Sequence, residues 1–247
     1  MTQPPGRLRR RPPEGASSPW GGPAATRIAL IHALAHSIAP VNEELARQWP
    51  QCTVMNLLDD SLSADLAREG GGLDERMHAR FIALAGYAIE AGAQGILFTC
   101  SAFGPCIESV ARRFGALPVL KPNEAMIDDA VHQGQHIGLL ATFAPTLSSM
   151  PQEFPPDVHL RPALVEGALA ALNHGRADEH DRLIVQAAQR LCAEGCDLIA
   201  LAQFSMARAA PAVRQAVNVP VLTTVGSAVR RLRERVSSPS PFGRGQG

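Results

Sequence analysis

The sequence predicts an α/β fold of two similar lobes, each a Rossmann-like parallel sheet flanked by helices, with a cleft between them. Three observations carry this expectation. Short apolar runs alternate with amphipathic stretches along the chain, the pattern of parallel strands joined by right-handed helical crossovers. The second half repeats the first: Ala91-Gly-Ala-Gln-Gly-Ile-Leu-Phe-Thr-Cys-Ser-Ala102 parallels Glu194-Gly-Cys-Asp-Leu-Ile-Ala-Leu-Ala-Gln-Phe-Ser205. Likewise Ala116-Leu-Pro-Val-Leu120 parallels Asn218-Val-Pro-Val-Leu222. Two matched lobes then leave a cleft between their strand ends, the usual place for a small-molecule site.

Each element can be justified in turn. Arg27 to His32 is short, apolar and followed by a turn region, so it reads as a buried strand. Pro40 to Gln48 follows as a helix with Val41, Leu45 and Ala46 on one side. Cys52 to Leu57 is the second strand, closed by Asp59, Asp60 and Ser61. Leu73 to Ala91 sets Met77, Phe81, Leu84, Ala85 and Ala88 at helical spacing, and Gly92 stops it. Gly95 to Thr99 is the third strand, Ile107 to Phe114 an amphipathic stretch, and Pro118 to Leu120 the fourth strand.

The rhythm then restarts. Asn123 to His132 is a helix turning Met126, Ile127, Ala130 and Val131 inward. His136 to Ala141 is a strand, Thr142 to Thr146 opens a helix, and Val158 to Leu164 is strand-like. Asp178 to Ala193 is a helix with Leu183, Ala187, Arg190 and Leu191 framing one face. Cys196 to Ala202, Ala207 to Val217, Val219 to Leu222 and Thr223 to Arg235 follow as strand, helix, strand and helix. The expected lobes are 27–121 together with 223–236, and 122–222.

Residues 1–26 and 237–247 are rich in Pro, Gly, Arg and Ser and lack apolar periodicity, so both tails are expected to be disordered. The 247 residues carry zero formal net charge, which creates no long-range field for nucleic acid or an anionic membrane. With 4% aromatic residues there are few rings to stack on bases, so no nucleic-acid partner is expected. No run approaches the roughly 18 apolar residues of a membrane helix. The basic start, with Arg7, Arg9, Arg10 and Arg11, lacks the apolar stretch of a secretory signal. Five cysteines without the spacing of a disulfide framework fit a reducing cytoplasm. Apolar helix faces would make a homodimer unsurprising.

The chemistry concentrates at Gly95-Ile-Leu-Phe-Thr-Cys-Ser-Ala-Phe-Gly-Pro-Cys106. An apolar strand ends at Thr99, Cys100 follows at once, and a helix begins beyond it. Open α/β sheets bind ligands at that edge, and a helix amino terminus is expected to lower a thiol pKa toward neutrality. Cys106, in the first turn of the following helix, reads as core packing. Cys192 and Cys196 are too sparse a pair for zinc, so no metal is expected. His32 and His36 follow the first strand and stand equally as cleft acids or as loop histidines in water. The pair His132 and His136 reads as solvated. Thr142 and Thr146 bracket a helix start, where hydroxyls and free amides serve either as caps or as an anion cradle. Ser227 is a weaker candidate of the same kind. No Gly-rich phosphate fingerprint follows the first strand, where Ala33-Leu-Ala-His-Ser37 lacks the glycines.

Over roughly residues 27–235 the chain resembles the aspartate/glutamate racemase superfamily, which also holds hydantoin racemases, maleate isomerases and arylmalonate decarboxylases. The resemblance rests on Thr99-Cys100-Ser101-Ala102, on Gly138-Leu-Leu-Ala-Thr142 with Thr146, on Asp197-Leu-Ile-Ala-Leu-Ala-Gln203-Phe-Ser205, and on Pro220 to Ala228. It implies cofactor-free carbanion chemistry in which one thiolate removes a proton alpha to a carboxylate and a thiol on the opposite face returns it. Cys100 would be the catalytic thiol; Thr99, Ser101, Thr142, Thr146, Gln203, Ser205 and His32 would contact a small carboxylate substrate. The family's second cysteine falls on Gln203 and its nearby histidine on Ser205. A carboxamide does not exchange protons at useful pKa, and Cys196, at the far end of its strand, does not replace the missing thiol. The expected activity is a racemase or isomerase without cofactor. The alternatives are a one-cysteine decarboxylase or cis–trans isomerase, and a non-catalytic carboxylate-binding protein.

Overall fold

The computed structural model describes residues 25–68 and 72–238. Most of both tails expected to be disordered therefore lies outside the described residues. The first sheet comprises β1 (Arg27–His32), β2 (Thr53–Leu58), β3 (Gly95–Phe98) and β4 (Val119–Leu120) in the order β2-β1-β3-β4. The second comprises β5 (His136–Ala141), β6 (His159–Leu164), β7 (Leu198–Leu201) and β8 (Val221–Thr223) in the order β6-β5-β7-β8. Every pairing is parallel. The registers also repeat, with Ile28 opposite Gly95 in one sheet and Ile137 opposite Leu198 in the other.

Parallel sheets are covered on both faces, so their central strands read as unbroken apolar runs. β3 and β7 are buried at every position, and β1 and β5 at all but their first. The edge strands β2 and β6 are exposed or half-buried along their length. The first sheet is covered on one face by α3 (Glu75–Glu90) and α4 (Gly104–Arg113) and on the other by α1 (Ile38–Gln48) and α10 (Thr224–Ser237). The second is covered by α8 (Ala177–Ala193) and α9 (Ala210–Ala216) on one face. On its other face lie α5 (Glu124–Gln133) and α6 (Ala144–Ser149). Thus α10, the last helix, returns from β8 to the first sheet, where Val225, Val229 and Leu232 pack with Ile28, Leu30 and Leu97.

Two short helices, α2 (Ser61–Ala67) and α7 (Ala168–Asn173), have no counterpart in the sequence reading. Helices of this length draw their stability from packing rather than propensity, so their sequences carry little signal. The buried face of α8 also differs from expectation. It is His180, Ile184, Ala187, Ala188 and Leu191, with Arg190 exposed, because a buried histidine sits where an apolar residue would be sought.

The duplication extends to the helix ends. Gly92 after α3 and Gly195 after α8 have φ of 87° and 95°. Beside them Ala93 N donates to Ala88 O and Cys196 N to Leu191 O. This is the Schellman closure that a left-handed glycine allows. Inside β5 the limit is space rather than φ. A Cβ on Gly138 would stand 2.9 Å from both Leu191 Cδ1 and Ile199 Cδ1. Gly138→Val is expected to destabilise the protein by about 2 kcal/mol through overpacking. Gly86→Ala, in α3 where a Cβ meets nothing within 4 Å, should stabilise it by about 0.5–1 kcal/mol. Urea unfolding of the two variants checks both signs.

Candidate active site

The carboxyl ends of β3, β5 and β7 meet between the lobes, and each is followed at once by a helical turn. Cys100, 8% exposed, leaves β3 in extended conformation and starts the 3-10 turn Ser101–Phe103 that leads into α4. Ser101 Oγ donates to Thr146 Oγ1 of α6 at 3.2 Å, so a hydrogen bond joins the thiol turn of one lobe to the other. Behind β5, Gln203 Oε1 accepts from Thr142 N at 2.5 Å, Thr142 Oγ1 at 3.0 Å and Phe143 N at 3.2 Å. The donors expected at Thr142 to cradle a carboxylate are thus filled by the chain's own carboxamide oxygen, while Thr146 is left to Ser101. That bonding also assigns the amide, since three donors on Oε1 leave Nε2 as the opposite end.

The expectation of a low thiol pKa is overturned. Burial pushes the Cys100 thiol up to about 11, although the Ala102 backbone N–H and the Ser63 hydroxyl favour the thiolate. A 3-10 turn of three residues provides little of the field of a long helix, and the desolvation cost of a sulfur anion exceeds it. Cys100 shares a narrow void with Ile31, His32, Ala33, Leu62, Phe81 and Phe98. A large groove, about 1260 Å³, lies instead beside α1, α9 and the start of α10. Its size is no guide to the chemistry, because neither the thiol nor Gln203 lines it.

His32 is not a loop histidine. It closes β1, is fully buried, and uses both ring nitrogens: Nδ1 with Thr99 Oγ1 and Nε2 with Asn56 Oδ1, each at 2.9 Å. Burial lowers its pKa, partly offset by Asn56, so the ring is neutral at pH 7. Because Asn56 Oδ1 accepts, Nε2 carries the proton and Nδ1 accepts from Thr99. His32 therefore orients Thr99, the residue before the thiol. His36 bonds Asn173 Oδ1 of α7 at 2.8 Å, and His132 and His136 are exposed. Ser227 donates to Asp129 and lines the large groove, away from Cys100. Ser205 is 1% exposed, and its Oγ has no partner among the described residues.

Sequence reasoning missed Ser63, Asn56 and His180. Ser63 reaches the thiol because α2 forms; the signal was Leu62 and Leu66 four apart behind Asp60. Asn56 was legible as a lone amide inside an apolar strand. Cys106 and Cys196 are buried in the cores of their lobes, as core cysteines commonly are.

Two outcomes follow from this geometry. Alkylation of Cys100 by iodoacetamide, read by mass spectrometry, should be slow at pH 7–8 and climb toward pH 11; a plateau below pH 8 would contradict the burial argument. Gln203→Ala, which strips an acceptor from two backbone amides and a hydroxyl, should cost about 1–3 kcal/mol in urea unfolding.

The fold has clear relatives. Francisella tularensis glutamate racemase, solved with D-glutamate, aligns with a TM-score of 0.65 at 12% identity over 86% of this chain and 81% of that one. Klebsiella pneumoniae allantoin racemase gives 0.66 at 17% identity over 86% and 88%. A glycine-to-cysteine variant of arylmalonate decarboxylase gives 0.59 at 16% identity over 89% and 98%. At these identities the likeness is one of fold. Among curated protein sequences none matches. The profile of the Asp/Glu/hydantoin racemase family matches residues 42–232, well over half of the sequence. The chain belongs to that family.

Proposed function

We propose that the protein is a cofactor-independent enzyme of racemase or isomerase type, acting alpha to the carboxylate of a small acid with Cys100 as its thiol acid/base. The observation that carries this reading is the hydrogen bond between Ser101 and Thr146. It sets two hydroxyls from opposite lobes beside the thiol, where a substrate carboxylate would take their hydrogen bonds. Removing an alpha proton sends the electron pair toward that carboxylate, so donors placed there stabilise the intermediate more than the ground state. The reading places Thr142 and Gln203 at the far wall of the same cleft. The free thiols at all five cysteines support a reducing, cytoplasmic setting. No helix among the described residues is long and apolar enough to cross a membrane.

A second reading is favoured by one observation. By the resemblance, Gln203 falls at the family's second cysteine, and its carboxamide is bound as an acceptor at Thr142 and Phe143. A reaction needing one thiol, such as decarboxylation of a malonate, would not require a proton shuttle there.

Solvent exchange separates the two. The protein is incubated in D2O with the enantiomers of glutamate and aspartate, with allantoin and with an arylmalonate, and the alpha carbon is followed by NMR. Deuterium wash-in with loss of configuration supports the racemase reading, and carbon dioxide release from the malonate supports the other. Cys100→Ser should slow either reaction by about a hundredfold or more. An unchanged rate in that variant would sink the thiol mechanism.

A further inference from the structure

A buried acceptor on α8 and a buried donor in the turn after Gln203 each lack a hydrogen-bond partner among the described residues. The first is His180 Nε2. His180 is fully buried in α8, and its Nδ1 meets Asp181 Oδ1 at 2.7 Å. Arg208 holds Asp181 from the other side, with Nε at 3.0 Å from Oδ1 and Nη2 at 3.1 Å from Oδ2. Burial would raise the Asp181 carboxyl, but the bonds from Arg208 and His180 outweigh it and keep the group below its ordinary range. Burial also holds the His180 imidazole neutral, against the pull of Asp181 and with that of Arg208 and His36. A neutral ring that donates through Nδ1 to a carboxylate carries its lone pair on Nε2.

The second atom is Ser205 Oγ, in the 3-10 turn Phe204–Ala209. Residues three apart eclipse in a 3-10 helix, so Ser205 lies on the face of the turn that Arg208 directs at Asp181. Met206 and Ala209 of the turn share a core cluster with Ile184 and Ala188 of α8, so the turn runs along the half of α8 that carries His180. One atom lacks a donor and the other lacks an acceptor. Such groups are rarely left so in a buried interface without a reason.

We propose that Ser205 is the acid/base group of the C-terminal side of the cleft, with His180 as its proton acceptor and Asp181 fixing the imidazole tautomer. The proposal rests on the carbanion reading above and supplies the group that Gln203 lacks. In one direction the substrate Cα–H bond breaks and its proton passes to Ser205 Oγ. The hydroxyl proton moves to His180 Nε2, and the electron pair stays on the substrate as an enolate. The Cys100 thiol then protonates the opposite face, leaving a thiolate and an imidazolium. The reverse direction restores thiol and neutral imidazole, so protons balance over the pair of turnovers. The starting form pairs a protonated Cys100 thiol with a neutral His180 imidazole, the form that burial favours for each group. Ser205 and His180 are not hydrogen-bonded here; such bonds commonly tighten only around a substrate.

The test has two arms on the full-length protein. In the first, long-range 1H–15N NMR reads the His180 ring. The expected result is a proton on Nδ1 and a bare Nε2. A proton on Nε2 overturns the proposal whether or not any acid is turned over. In the second, wash-in is measured from each enantiomer of the reactive acid. Ser205→Ala and His180→Gln should each lose about a hundredfold from one enantiomer while keeping the other, with Cys100→Ser showing the opposite preference. Ser205→Cys should restore exchange. Equal loss from both enantiomers in Ser205→Ala marks a structural role only and overturns the assignment. If the wild type exchanges no acid on the panel, the carbanion reading fails separately, and the ring NMR still decides the His180 tautomer.

Discussion

The structure depends on one constraint: a parallel strand must be covered on both faces, and only a crossover helix brings the chain back to start the next one. Every strand of a sheet then ends on the same edge, and every end is followed by a turn into a helix. Building this twice and turning the two edges toward each other brings the residues after β1, β3, β5 and β7 within reach of one another. Ser101 and Thr146, and Thr142 and Gln203, owe their meeting to this arrangement and not to any local sequence motif.

The lobes are then held in register by a few contacts across the cleft. Phe204, between Gln203 and Ser205, is 1% exposed and packs with Leu30, Leu97 and Val225 in the core of the opposite sheet. The turn that carries the candidate chemistry of the second lobe is thus anchored in the first. Ser101 and Thr146 repeat the connection with hydroxyls, and α10 repeats it with a helix. Two adjacent residues divide two tasks: Gln203 fills the amide cradle at Thr142, and Phe204 locks the lobes.

Burial sets the protonation of the interior. The same desolvation that pushes the Cys100 thiol up to about 11 lowers His32 and His180. In each case the charged form is the one disfavoured. Thiol and imidazoles are therefore neutral together near pH 7. The sign for stability follows from the imidazoles: their neutral folded forms favour the fold above pH 6.5, and that contribution is lost as pH falls below the ordinary histidine value. For the thiol the contribution is present below its ordinary value and fades as pH rises toward 11.

Most of the fold was legible from the sequence. All eight strands and the long helices follow from period and from Gly or Pro punctuation, because a strand buried on both faces has to be apolar at every position. The repeat of Ala91 to Ala102 in Glu194 to Ser205 disclosed the duplication, since matching turns need matching glycines. Cys100 and Gln203 could be singled out as equivalent positions for the same reason. What stayed hidden was set by distance in the chain. Ser63 reaches the thiol only because a short helix packs there. His32 lost its water because β2 and β3 cover it, and the thiol lost its acidity to burial that no local pattern records. Gln203 revealed its role only when β5 and β7 paired and brought Thr142 beneath its carboxamide. Local periodicity specifies which residues turn inward; which of them then share a hydrogen bond, and at what protonation, is decided by the packing of elements far apart in sequence.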